Sequence, residues 1–455
     1  MNDMSRRFMK VGVTLPRILI PAESIDRRSW AVVACDQFSS EREYWEKVAR
    51  TVGDKPSTLN LIFPECYLED NDKNERIAAI RASMKNYLEK GYLTELPEGF
   101  MLVERYTPYE EKPRVGLMIA VDLEQYRYGK DSKSLIRPTE GTIVERLPPR
   151  MEIRRGAALE LPHIMLLVDD PEKSVIEPLY ANKQYLPKVY DFDLMENSGH
   201  LCGWHISDTR YLEKILSALE KLADPSAYKT KYRQDEVLLF AVGDGNHSLA
   251  TAKAIWEETK KNLQEGLADH PENVQLLENH PARFALVELV NIYDEGLPFH
   301  PIHRVLFKVN EAELLGAMEK AGAVVRRTAS HEQAFKLADA PQEGKTQTIA
   351  FVSATDSGVL VFEQPKSKLA AGTIQEILDA YLKAHPETGI DYIHGEGSLV
   401  SLAQKQGNFG LYLPPVDKTS FFGTVIADGV MPRKTFSMGE APEKRFYMEA
   451  RKIQP

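Results

Sequence analysis

Cysteine is scarce in this chain. Cys35, Cys66 and Cys202 are the only three among 455 residues, far apart and odd in number. They make neither a disulfide framework nor a C-x-x-C pair, and a reducing, cytoplasmic compartment is expected. Positive charge is also in deficit: 57 Lys and Arg stand against 67 Asp and Glu, a net charge of −10. That balance argues against a general nucleic-acid binder, which carries a basic stripe. It leaves room for a nucleotide, which needs only a local positive patch. No apolar run approaches the roughly 20 residues that span a bilayer, so no membrane partner is expected. Met1 to Lys10 carries charge but no apolar signal-peptide core. Internal repeats and low-complexity tracts are absent.

What remains is ordinary globular composition, 43% hydrophobic and 27% charged. The length suits two or three domains of roughly 150 residues each. The pattern divides into an N-terminal α/β portion (1–125), a core (126–310) and a C-terminal α/β portion (311–455). Helices are expected over Glu41 to Val52, capped by Ser39 or Ser40, and over Asn74 to Lys90, ended by Gly91. Strands are expected over Asn60 to Phe63, Met101 to Tyr106, Val115 to Val121 and His163 to Val168. Residues 131–162, rich in Arg, Glu and Pro, read as a long functional loop. From Glu311 helices and strands alternate. The fold class is α/β to α+β, with a mixed-sheet core.

The most informative stretch is VLLFAVGDGNHSLATAKAIWEE, residues 237–258. An apolar run, Val237 to Val242, stops at Gly243, Asp244 and Gly245, and helix formers follow from Leu249. Strand, tight turn and helix start make a phosphate-binding geometry. A helix N-terminus offers unpaired N–H groups and partial positive charge, and glycine lets the backbone approach an anion. Asp244, Asn246, His247 and Ser248 add an acid, an amide, an imidazole and a hydroxyl. Asp-Gly-Asn is equally ordinary turn chemistry, and Asn or Ser an ordinary helix cap. Neither G-x-x-x-x-G-K-[ST] nor G-x-G-x-x-G is present there.

Five motifs in order resemble the bacterial and archaeal family catalogued as domain of unknown function 1015. They are Asp36 after the first strand, Glu140 and Thr142 with Arg150 ten positions after the Glu, Asp244-Gly245-Asn246-His247, Pro301-Ile302-His303-Arg304, and Met431-Pro432-Arg433-Lys434-Thr435. The chain departs from the family pattern at Asn246, usually His, and at Ser248, usually Arg. It also has Ile143 where an Arg is frequent. The Asp-Gly-x-His turn is further similar to the phosphate-binding turn of the ParB/sulfiredoxin-like superfamily, which includes a free-serine kinase.

Those resemblances imply phosphate chemistry, which is largely positioning plus charge stabilisation. Gly243, Gly245, Asn246 and Ser248 would cradle the phosphate of a nucleotide (ATP or ADP), with Thr142 alongside. Arg146, Arg150, Arg304 and Lys434 would neutralise charge. Glu140 or Asp244 would hold Mg²⁺ or take a proton, with Asp36 a third carboxylate, and His247 or His303 would carry a proton or donate to the leaving oxygen. Arg146 and Arg150 equally suit solvated loop residues paired with Glu145 and Glu152. The expected function is a nucleotide-dependent phosphotransferase or phosphohydrolase acting on a small hydroxyl metabolite, with serine or phosphoserine implied by the remote similarity. The alternative is a non-catalytic nucleotide- or metabolite-binding switch, which would work as a homo-oligomer. Either takes a small phosphate-containing ligand. An acceptor pocket beside the turn discriminates the two. His200, Cys202 and His205 contain metal-ligand chemistry, but in a strand His205 faces away from the other two. Cys35 lacks a cationic neighbour in sequence and reads as a small buried residue.

Overall fold

The computed structural model describes residues 3–129, 132–267, 274–342, 345–432 and 434–455. It forms two compact units, Met1–Leu297 with Gly439–Pro455, and Pro298–Met438. The division read at 125 falls inside the first unit, because Arg114–Asp122 and Ile136–Pro138 are strands of one sheet. The second unit begins shortly before the change of pattern at Glu311, and residues 439–455 return to the first unit.

A nine-stranded mixed sheet organises the first unit. In spatial order its main path runs Ile136–Pro138, Phe240–Asp244, Met165–Val168, Phe284–Asn291, Arg114–Asp122, Phe100–Tyr106, His200–Ile206 and Lys188–Asp193. Val13–Thr14 pairs beside Arg114–Asp122. Ile136–Pro138 lies parallel to Phe240–Asp244, and Met165–Val168 parallel to Phe284–Asn291. The other pairings are antiparallel. The central strands read as near-continuous apolar runs because both faces are covered; every residue of Arg114–Asp122 is buried. On one face Met101, Val103, Met118, Leu201 and Leu286 share a core with Trp30, Trp45, Val48, Ile80 and Met84, and with Phe446, Tyr447 and Met448 of the returning C-terminal segment.

Several local expectations change. Asn60 to Phe63 is no strand; a 3₁₀ turn occupies Thr58–Leu61. Ser57 Oγ accepts from Leu59 N–H (3.2 Å) and the Ser57 and Thr58 hydroxyls donate to Trp30 O. Such local side-chain bonds compete with a strand ladder. Residues 132–162 are not one loop. They contain the strand Ile136–Pro138, the helix Leu147–Arg154 and the short strand Leu159–Glu160. That helix starts at a Leu-Pro-Pro sequence, where proline's missing N–H is harmless, and it buries only Leu147, so it left no periodic signal. The helix Arg42–Val52 takes Glu41, not Ser39 or Ser40, at its N-cap.

The second unit is a six-stranded antiparallel sheet in the order Ala323–Arg327, Ser357–Phe362, Gln347–Ser353, Asn408–Tyr412, His303–Phe307, Gly389–Ile393. Alternation sorts its side chains. Ile349 and Phe351 pack with helices Glu311–Lys320 and Ala370–Ala384. Ala350 and Val352 pack with His331–Asp339 and Glu396–Ala403. Among the described residues, no helix is long and apolar enough to cross a membrane.

Candidate functional site

The expected strand–turn–helix is present and is tighter than its sequence suggests. The strand is Phe240–Asp244 and the helix is Asn246–Leu267, leaving Gly245 as the turn. The register against Met165–Val168 shifts between Val242 and Asp244, so Gly243 is the extra residue of a bulge. A bulge re-aims the side chain that follows, here Asp244. Gly245 has φ +80°, and a Cβ on it would lie 3.0 Å from Ile164 Cα. Its carbonyl accepts from Leu249 N–H at 3.0 Å, opening the helix. Gly245→Ala combines left-handed strain with that close approach. It is expected to destabilise the first unit by about 1–3 kcal/mol, read as a lower urea midpoint at unchanged slope.

The Glu140 loop arrives at the same mouth. Ile136–Pro138 runs parallel beside Phe240–Asp244, so both chains leave the sheet at the same end. Thr139 Oγ1 donates to Val242 O at 2.6 Å, and Ile143 N–H reaches His247 Nε2 at 3.4 Å. Glu140 and Thr142 lie between those two contacts, half-buried, while Arg146 is exposed. The helix Leu147–Arg154 then packs on Asn246–Leu267. It carries Arg150, whose guanidinium donates to Glu65 Oε1 at 2.5 Å and to Arg146 O at 2.8 Å. Arg150 is therefore tied to Glu65, not to Glu145 or Glu152.

Five further residues complete the group. Lys444 Nζ donates to Asp244 Oδ2 at 3.0 Å, and Gly245 N–H to Asp244 Oδ1 at 2.9 Å. His163 sits between Ser248 Oγ (2.8 Å from Nε2) and the Tyr447 hydroxyl (2.7 Å from Nδ1), with Asp36 Oδ2 3.8 Å from Nε2. The Tyr447 hydroxyl also accepts from Cys35 N–H and donates to Cys35 Sγ. The His163 ring thus bridges the Ser248 and Tyr447 hydroxyls. A cavity of about 150 Å³ opens beside this chain of bonds, bordered by Ser248, His163, Arg150 and Glu65 and otherwise mainly apolar, with Phe63 and Met84 among its walls.

Burial pushes the Asp244 carboxyl up, but Lys444 outweighs it with help from His163 and Gly245 N–H, so the group lies below its usual range. Burial, then the nearby Arg150 and Arg146 charges, lowers His247, which is a neutral imidazole at pH 7. Burial raises Glu65 despite Arg150. Burial, reinforced by Asp36, pushes the Cys35 thiol far up, so Cys35 is no thiolate nucleophile, in line with its sequence context. Asn246 Oδ1 is buried without a hydrogen-bond partner among the described residues. Mg²⁺ uses one or two carboxylates beside the phosphates it accompanies. Asp244 and Glu140 would suffice for that, and no three-ligand cage forms around them among the described residues.

His303, Arg304 and Lys434 belong to the second unit. His303 is buried, stacks on Tyr412 and accepts from Leu413 N–H at 3.1 Å; burial, with Arg304 and His394, pushes it down to about 4. Arg304 is fully buried over the Tyr392 ring and donates to Ile302 O. Lys434 is exposed with φ +56°, and Arg433 lies outside the described residues. The residues missed from sequence are Glu65, His163, Lys444 and Tyr447. Only His163, at the mouth of an expected strand, carried any signal.

The model of the family described as protein of unknown function DUF1015 matches residues 19–381, and the chain belongs to that family. No curated protein matches it. Among solved structures, a conserved hypothetical protein from Pyrococcus furiosus aligns over 74% of this chain and 95% of its own, at 12% identity and TM-score 0.35. A free serine kinase variant in complex with ADP aligns over 74% of this chain and 92% of its own, at 10% identity and TM-score 0.38. SbnI with a C-terminal truncation, from Staphylococcus aureus, aligns over 71% and 83%, at 10% identity and TM-score 0.33. These are distant likenesses, and the chemistry of the site has to be argued from its own residues.

Proposed function

We propose that this DUF1015 protein is a nucleotide-dependent phosphotransferase or phosphohydrolase acting on a small hydroxyl metabolite. The phosphates would sit at the N-terminus of Asn246–Leu267, on its leading N–H groups and Lys444, with Asp244 and Glu140 available to Mg²⁺. One observation carries the choice of an enzyme over a switch. The cavity of about 150 Å³ is bordered by Ser248, a residue of the first turn of the helix that would hold the phosphate. A switch that senses nucleotide alone has no use for an acceptor space there, and one that senses a metabolite is separated from an enzyme by the turnover assay below. The volume suits a molecule no larger than a small amino acid, in keeping with the serine or phosphoserine implied by the ParB/sulfiredoxin-like turn.

His247 is the proposed proton carrier, being neutral at pH 7 and beside the turn. His247→Ala should lower turnover by about 10²–10⁴-fold and leave nucleotide affinity within a few-fold, since the backbone donors survive. The experiment starts with a thermal-shift panel of AMP, ADP and ATP, with and without Mg²⁺, and phosphorylated amino acids. A ligand at a hundred times its Kd adds about 2.7 kcal/mol. Calorimetric titration and a phosphoryl-transfer assay on both proteins follow. A panel without any stabilising nucleotide, or a variant indistinguishable from wild type in both assays, removes the proposal. Binding without turnover of any small hydroxyl acceptor would favour the switch.

A further inference from the structure

Far along the sheet of the first unit, its last two strands bring together a different chemistry. In the antiparallel pairing of Lys188–Asp193 with His200–Ile206, Cys202 stands directly opposite Asp191 and His200 opposite Asp193. Alternate residues of a strand share a face, and cross-strand partners are in side-chain contact. A carboxylate oxygen of Asp191, a ring nitrogen of His200 and Cys202 Sγ accordingly lie within 4.8 Å of one another. His205 is not part of the group; its Nε2 meets Pro97 O at 3.1 Å. The third ligand comes from the neighbouring strand, which the sequence spacing of His200, Cys202 and His205 could not reveal.

We propose that Asp191, His200 and Cys202 form a binding site for a borderline transition-metal ion, Zn²⁺ above all. The His200 ring is held as a metal-ligating histidine is held. Its Nδ1 meets Asp193 Oδ1 at 2.7 Å, while its Nε2 points at Asp191 Oδ1, also at 2.7 Å. A carboxylate behind one ring nitrogen is the recurrent outer partner of zinc histidines; the other nitrogen, on Asp191 in the metal-free protein, would turn from that hydrogen bond to the ion. An ion between Nε2 and Asp191 Oδ1 displaces the proton those atoms share to solvent. Asp191 keeps its other oxygen on Lys188 Nζ at 2.6 Å. Glu104, opposite Cys202 on the other side, is already neutralised by Lys183. Sulfur, nitrogen and oxygen donors together suit Zn²⁺ and disfavour Mg²⁺ and Ca²⁺, which take oxygen alone. Cys202 is buried and Asp191 exposed, so the fourth position opens to solvent. The bound ion would clamp the edge strand Lys188–Asp193 to its neighbour.

The test is Co²⁺ titration of the tag-free full chain, followed by Zn²⁺ competition. One equivalent should produce a thiolate-to-cobalt charge-transfer band and four-coordinate visible bands, both displaced by Zn²⁺. Cys202→Ser should abolish the charge-transfer band, and His200→Gln should remove stoichiometric binding. Asp193→Asn should weaken Zn²⁺ by about 10–100-fold. His205→Gln should bind as wild type does. Circular dichroism and urea midpoints of the metal-free variants separate loss of ligands from loss of fold. A folded wild type without the band, or a band that survives in folded Cys202→Ser, overturns the site.

Discussion

Arg445→Met should lower the stability of the first unit by about 3–5 kcal/mol, the range for breaking a buried ion pair by removing one partner. Arg445 is buried, and its guanidinium holds three groups at once. It donates to Glu288 Oε2 at 2.5 Å, to Pro162 O at 2.9 Å and to Glu449. Glu288 is wholly buried on its strand, with Arg114 Nε, at 3.4 Å, as its one other cation among the described residues. Glu449 is equally buried and otherwise accepts from the Tyr190 hydroxyl. Methionine replaces the stem and leaves two carboxylates under-compensated in the core. Burial raises Glu288, but Arg114 and Arg445 outweigh it and hold the group low. Its contribution is therefore present above the unfolded carboxyl pKa and is lost as pH falls through the folded one. In the variant the folded pKa rises and protonation relieves the strain, so the deficit should be larger at pH 7 than at pH 5. Urea unfolding of both proteins at both pH values measures this. A deficit under about 1 kcal/mol, or one that widens on acidification, would contradict the reading. Because Arg445 also fixes the carbonyl just before His163, the same variant should disturb the site.

Lys444→Met should weaken nucleotide binding by roughly 10- to 150-fold, or about 1.5–3 kcal/mol for lost charge-assisted hydrogen bonds. Lys444 places its ammonium on Asp244, beside the helix N-terminus where the phosphates are proposed to sit. Without it Asp244 faces the incoming anion uncompensated. The double variant Asp244→Asn with Lys444→Met separates two roles. If Lys444 merely neutralises Asp244, the double variant regains wild-type ADP affinity in calorimetric titration without Mg²⁺, where the Asp244 carboxylate has no metal to hold. If Lys444 contacts phosphate, the loss persists. Stability reports the pair independently. Asp244 is held low by Lys444 against its burial, so its contribution exists above the unfolded pKa and fades as pH falls through the folded one. Unchanged ADP affinity in Lys444→Met would remove the residue from the phosphate site.

The chain on its own determined what is local or periodic. The apolar run ending at Gly243-Asp244-Gly245 and the helix formers after it specify strand, turn and helix, because side-chain burial and glycine's left-handed freedom act within a few residues. The same holds for Met101 to Tyr106, Val115 to Val121 and the helix over 74–90, and the motif order was enough to reveal the family. Tertiary structure decided the rest. Arg150 could have paired with Glu145 or Glu152 within its own helix or loop; only the tertiary fold brings Glu65, distant in sequence, to it. Lys444 and Tyr447 reach Asp244 and His163 because residues 439–455 return across the first unit, a path that has no periodic trace. The proposed zinc ligands are an i, i+2 pair that the sequence displays and an aspartate that only strand register supplies. Register depends on burial of whole strands and on turn geometry, so a single chain read residue by residue does not contain it.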